Sequence, residues 1–373
     1  MYKIVIKNTV TNQEYVYDNI EDINGGKKLY YNFNIDTSNL DDGEYKLTLF
    51  KGDDIVCTEL LKVGDFNSDK IQYSKGANVY IDAKPTKIDV AATGIKLGKS
   101  TFREVPDIYD FSNVTDMSYM FSDCSSLQSI PNLNASNATN MAYMFTGCEK
   151  LTSIEQLNTS NVTEMFWMFN GCSSLQSIPQ LNTAKVNNMG SMFYECRKLQ
   201  SIPLLDTSNV KTMYSMFYRC SSLTTIPMLD TSNTTRMSSM FFSCSSLTTI
   251  PPIDTSKVAM MDSMFGNCTS LQSLPLLDCG KVSLMSNFFG YFTIPTLTDL
   301  GGFKNLDISV TSSFLDKAPN LTVESLMNVI NNVYDLTANG LSGQSLKFGS
   351  TNLNKLTEEQ IAVATAKGWT LTA

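Results

Sequence analysis

Seven cysteines stand at 124, 148, 172, 196, 220, 244 and 268, each 24 residues after the one before. A Met-Phe pair precedes each, from 120/121 to 264/265. Methionines fill two columns of the same period, 117 to 285 and 120 to 264, which together take 15 of the 19 in the chain. Thiols and thioethers at fixed spacing raise the question of soft-metal binding or disulfide pairing. A further column, Asp110, Asn134, Asn158, Asn182, Asp206, Asp230, Asp254 and Asp278, offers the oxygen donors that calcium prefers.

The residue types weigh against most of this chemistry. Zinc sites use closely paired cysteines or histidine partners, and the chain has no histidine. The same lack removes the Ser-His or Cys-His nucleophile pair and the usual base near neutral pH. No enzyme is expected, with no catalytic residue, cofactor or metal ligand assigned. The cysteines and methionines read as small and adaptable packing units. Short acceptors such as Asn158 and Asp206 read as turn-forming and capping residues, with calcium between the last four aspartates as the rival. The stretch Thr93 to Ser100, TGIKLGKS, ends like a phosphate-binding loop, but Thr93 replaces the first glycine, and a plain turn is expected.

These columns need elements to hold them. Val114, Met117, Met120, Phe121 and Cys124 are spaced 3, 3, 1 and 3 apart, which predicts one face of an α-helix. Leu127 and Ile130 then predict a short strand, ended in most copies by a proline such as Pro131. One strand and one helix per 24 residues, stacked on similar neighbours, predicts an α/β solenoid over 102–292. Strands pack about 4.8 Å apart and helices roughly 8 to 10 Å, so the stack is expected to curve into an arc. Helix spacing would also hold the cysteines beyond the roughly 7 Å limit for a disulfide.

The ends read differently. Residues 1–66 predict a small antiparallel β-sandwich with strands at 2–7, 13–17, 28–34, 44–51 and 54–62. Residues 67–101 read as a linker merging into an N-terminal cap. Residues 293–373 read as an α/β C-terminal cap, with helices over Thr322–Tyr334 and Thr357–Lys367 and strands near 345–349 and 369–373. The net charge of -8 leaves no basic footprint for nucleic acid. MYKIVIKNTV does not read as a secretory leader, and no apolar run approaches a membrane span. A soluble chain made in the cytoplasm is expected, unless a leader has been trimmed off.

Residues that escape the core pattern are the candidates for partner binding. Tyr119, Tyr143 and Trp167 share one column, and Tyr194, Tyr218 and Phe242 share another in the next three coils. Exposed aromatic rings mark recognition surfaces; packing between coils is the other reading. Asn132, Gln156 and Gln180 give way to Leu204, Met228, Pro252 and Leu276 in a second column, an apolar drift that suggests a contact strip or further packing.

The unit LDTSNVKTMYSMFYRCSSLTTIP, Leu205 to Pro227, resembles the short repeat of the BspA-like leucine-rich-repeat family of bacterial surface proteins. The tail, with NLTVESLMNVINNVYDL and LTEEQIAVATAKGWTL, looks like the C-terminal cap of such proteins in gut Bacteroides-type bacteria and their phages. LDDGEYKLTLFKGDDIVCTELLKVGDF resembles small β-domains that begin virion proteins of those phages. The resemblance implies a leucine-rich-repeat solenoid of strand-helix coils acting as a non-enzymatic adhesion protein. It implies a phage virion accessory, head or tail-fibre-like, whose N-terminal domain docks on other virion proteins. The repeat arc would bind a cell-surface protein or glycan, and a homo-oligomer is compatible. The alternative is a bacterial surface or secreted adhesin.

Overall fold

The computed structural model describes residues 2–8, 10–20, 34–36, 43–51, 54–63, 78–80, 88–89, 109–131 and 133–373. The chain divides into two compact units, Met1–Ile95 with Pro106–Asn113, and Lys96–Val105 with Val114–Ala373. The phosphate-loop-like stretch 93–100, most of 67–101, the expected strand over 28–33 and Asn132 lie outside the described residues.

In the first unit, β1 (Tyr2–Asn8), β2 (Glu14–Ile20), β4 (Gly43–Lys51) and β5 (Asp54–Val63) form an antiparallel sheet in the order β2-β1-β4-β5. Alternating β-branched and aromatic residues suit such a sheet. A separate antiparallel pair joins β3 (Asn34–Asp36) to β6 (Asn78–Tyr80). The stretch read as linker therefore supplies a strand. β7 (Ile88–Asp89) pairs in parallel with β8 (Tyr109–Asp110).

The second unit is a stack of 24-residue coils. Each contributes the same buried set: in one coil Met165, Met168, Phe169, Cys172 and Leu175 are all 0% exposed. The rings of Phe121, Phe145, Phe169, Phe193, Phe217, Phe241 and Phe265 lie in one file, neighbours 5.3 to 5.7 Å apart and within 12° of parallel. Burying one such ring contributes about 1.5 to 3 kcal/mol.

The helix expected in each coil is absent. From Met117 to Cys124 the amide hydrogens divide by parity. Met117, Tyr119, Phe121 and Asp123 donate to Asn140, Ala142, Met144 and Thr146 in the next coil, at 2.6 to 3.1 Å. Met120, Ser122 and Cys124 donate three residues back within the coil. Left-handed residues make this path, at Tyr119 (φ 57°) and Asp123 (φ 61°), and one and five positions before each later cysteine up to Cys268. The 3, 3, 1, 3 spacing marks the inward face of this turn ribbon as well as it would a helix. A ladder of single parallel bridges, Asp116↔Asn140 through to Met260↔Leu284, runs the length of the stack. Coils are thus bonded amide to carbonyl on the side where helices were expected. The wide helix spacing on which the expected arc depends is therefore absent.

On the strand side, β9 (Ser129–Ile130) pairs in parallel with β10 (Ser153–Ile154). β11 (Ser273–Leu274) and β12 (Leu277–Asp278) pair with β13 (Asp299–Leu300) and β14 (Phe303–Lys304), so the chain after 292 continues the stack. It then forms α1 (Val323–Asn332), β15 (Gln344–Lys347), the single turn α2 (Ser350–Leu353), α3 (Glu358–Ala366) and β16 (Trp369–Thr372). Thr322 caps α1 by accepting from Ser325 N, and a capping box of Thr357 and Gln360 opens α3. β15 and β16 pair in parallel. Trp369, 1% exposed, donates Nε1–H to the Tyr334 carbonyl at 2.8 Å.

Candidate functional site: outward columns of the repeat stack

The cysteine ladder is spent on packing. Cys148, Cys172, Cys196, Cys220, Cys244 and Cys268 each donate Sγ–H to the carbonyl of the phenylalanine 27 residues earlier, at 3.0 to 3.1 Å. Burial pushes these thiols up, Cys268 to about 12, and all are free. The separation of about 10 Å expected from helix packing does not hold, because the coils are bonded at strand spacing. The thiols stay unpaired by orientation instead, each aimed at a main-chain oxygen.

The Asn/Asp column makes turns. Asn158, Asp206, Asp230, Asp254 and Asp278 accept the amide two residues on, at 2.9 to 3.1 Å. There is no helix for them to cap. Hydrogen bonds from the Ser208 and Ser232 hydroxyls, then from their amides, hold Asp206 and Asp230 below the usual carboxylate range. Among the described residues no group of three or more acidic or cysteine side chains is arranged to hold a metal ion. The adjacent column, whose polar residue type gives no sign of burial in the sequence, is buried threonine. Thr159, Thr207, Thr231 and Thr255 donate to the carbonyl of the next coil's Asn or Asp at 2.7 to 2.9 Å.

The six candidate aromatic residues form one file. Tyr119 stacks on Tyr143 (4.4 Å, 9°), Tyr143 meets Trp167 (5.5 Å, 48°), and Trp167 stacks on Tyr194 (6.0 Å, 15°). Tyr194, Tyr218 and Phe242 continue it at 4.5 and 4.9 Å. The sequence columns are offset by three residues, yet their rings join at Trp167–Tyr194. Gly266 takes the next place, and a Cβ there would collide with the Phe242 ring. Ring faces are covered by neighbours, so the file offers mainly edges. A second group was not singled out from sequence: Phe166 and Tyr214 meet at 5.9 Å across Gly190, and Arg236 lies 4.9 Å over Tyr214.

The apolar drift is on the surface. Leu204 is 62% exposed, Met228 63% and Leu276 44%, with Pro252 exposed between them. Earlier in the same column Gln156 and Gln180 line an open depression of about 510 Å³ with Asn134, Asn158 and Asn182. One column thus runs from amide to apolar along the stack.

A family model described as "Mycoplasma protein of unknown function, DUF285" matches residues 97–204 and again 196–295. Among solved structures, the leucine-rich-repeat protein TpLRR of T. pallidum is similar over 54% of this chain and 78% of its own, with 19% identity and a TM-score of 0.33. The plant peptide hormone receptor RGFR1, solved in complex with RGF2, is similar over 66% of this chain, with 14% identity and a TM-score of 0.30. This chain spans 48% of that receptor chain. No curated protein matches.

Proposed function

The chain belongs to the DUF285 repeat family, and from that premise we propose that it is a non-enzymatic binding scaffold whose outward columns recognise a cell-surface partner. The exposed strip Leu204, Met228, Pro252 and Leu276 carries this reading, since hydrophobic side chains repeated on the surface of a stack with its own full core mark a contact surface. In the finer form the protein is a virion accessory, with residues 1–66 docked on the particle and the repeats presented to the host cell. The resemblance of Leu40 to Phe66 to virion β-domains supports that form.

Two measurements test it. The full chain should co-sediment with purified phage particles and a chain lacking residues 1–66 should not; absence of the full chain from particles overturns the virion form and leaves the bacterial adhesin. The triple variant Leu204→Ser, Met228→Ser, Leu276→Ser should lose most of its adsorption to cells while keeping its Tm. Unchanged adsorption removes the strip from the binding surface.

A further inference from the structure

A second depression, of about 520 Å³, crosses the stack on the positions either side of the cysteines. Arg197 and Arg219 stand at one end and Phe292, 64% exposed, at the other, with serines 221, 243 and 245, Asn267 and Thr269 also lining it. Glu195 fixes the two guanidiniums. Its Oε1 accepts from Arg219 Nη1 and its Oε2 from Arg197 Nη2, each at 2.8 Å. Arg219 also lies 5.5 Å from the Tyr218 ring centroid, at the side of the aromatic file. Two arginines against one glutamate leave a local excess of one positive charge in an acidic chain. Asn267 Oδ1 accepts the Tyr291 and Phe292 amides at 3.1 and 3.3 Å, which holds the far wall.

The groups on offer narrow the ligand. The amides of Arg219, Ser221, Ser243, Asn267 and Thr269 are bonded within the stack, so a peptide cannot add here as a strand. What remains is side-chain chemistry: guanidinium donors suited to a carboxylate, serine oxygens that can still accept from an alcohol although the Ser221 and Ser245 hydroxyls donate to the Arg197 and Ser221 carbonyls, and one exposed ring suited to the apolar face of a sugar. The groove is open, so a ligand lies along it instead of being enclosed, which suits a chain of sugars better than a small molecule.

We propose that this groove between Arg197 and Phe292 binds a carboxylated oligosaccharide, the acid on the arginine pair, the hydroxyls on the serine and threonine side chains, and a sugar face on Phe292. The proposal rests on the binding-scaffold reading and names a ligand class for it. Uronic-acid polymers and sialylated glycans share this chemistry.

Calorimetric titration of the full chain separates the cases, using tetragalacturonate and 3′-sialyllactose, their neutral counterparts (the carboxyl-reduced tetramer and lactose) and a tetraglutamate peptide. One acidic sugar should bind at least about tenfold more tightly than its neutral counterpart, the factor expected from one charge-assisted contact. The double variant Arg197→Gln, Arg219→Gln should abolish that preference, and Phe292→Ala should weaken binding about three- to tenfold, both with an unchanged circular dichroism spectrum. Binding of neither acidic sugar, equal binding of the neutral ones, equal binding of tetraglutamate, or wild-type affinity in the variants overturns the proposal. Cell adsorption that still depends on Leu204, Met228 and Leu276 would then leave the scaffold reading standing. Loss of that dependence with acid-sugar binding intact would do the reverse.

Discussion

At the scale of single residues, the repeat shows how a reactive side chain becomes inert. A thiol is useful as a nucleophile or ligand only when it ionises. Cys172, Cys220 and Cys244 are 0% exposed, and burial raises the cost of the thiolate. Each also gives its hydrogen to a phenylalanine carbonyl of the preceding coil. Under native conditions Cys124 to Cys268 and Cys279 should resist a thiol reagent, reacting only after denaturation, as read by mass mapping of labelled peptides. Native labelling of several of these within minutes would contradict the packing described. Cys172→Ala should cost about 1 to 2 kcal/mol in urea unfolding, in proportion to the small buried volume removed.

At the scale of the element, the turn ribbon explains both what the sequence makes plain and what it hides. The period is plain because the same inter-coil bond recurs at the same place in successive coils, as Phe121 to Met144, Phe145 to Met168 and Phe169 to Met192 do, so each coil must present the same residue types in the same order. Inward positions such as Met165, Phe169 and Leu175 are plain for the same reason. The backbone path is hidden. Left-handed φ favours glycine, yet glycine holds the position before the cysteine only at Gly147 and Gly171, with Glu195, Arg219 and Ser243 later in that column. The same concealment splits one aromatic file into two columns of the sequence, since the join at Trp167–Tyr194 depends on how the ribbon turns. The acidic-sugar groove was equally out of sight, as it joins Arg197 to Phe292 across residues far apart in the chain. Within the file, Tyr218→Ala should destabilise by about 2 to 3 kcal/mol, losing contacts to Tyr194 and Phe242 worth roughly 0.5 to 1.5 kcal/mol each besides its buried area. Tyr218→Phe should be close to neutral. Equal effects of the two substitutions in urea unfolding would show that the stacked ring is not the stabilising part.

At the scale of the whole molecule, the polar columns set the response to acid. Serine hydroxyls and amides hold Asp206, Asp230 and Asp254 below the usual range. Burial pushes Glu195 up, but Arg197 and Arg219 more than offset it, and it too is lowered. Folding therefore favours the ionised forms. Their contribution is complete above the unfolded values of about 4 and is lost as pH falls through the lower folded ones. The Tm should be level from pH 7 to about 5 and fall below about 4. Asp206→Asn with Asp230→Asn, which keeps the turn oxygen found at Asn158, should flatten that fall; a Tm that rises on acidification would refute the assignment. The ribbon also has an electrical consequence. Amides at Met117, Tyr119, Phe121 and Asp123 all point toward the C-terminal end of the stack, whereas those of Thr139, Thr152 and Gln176 point toward the start. In a lone α-helix peptide dipoles add head to tail and leave about half a charge at each end; here opposing rows subtract, so each end of the stack carries less charge than the same rows would if aligned.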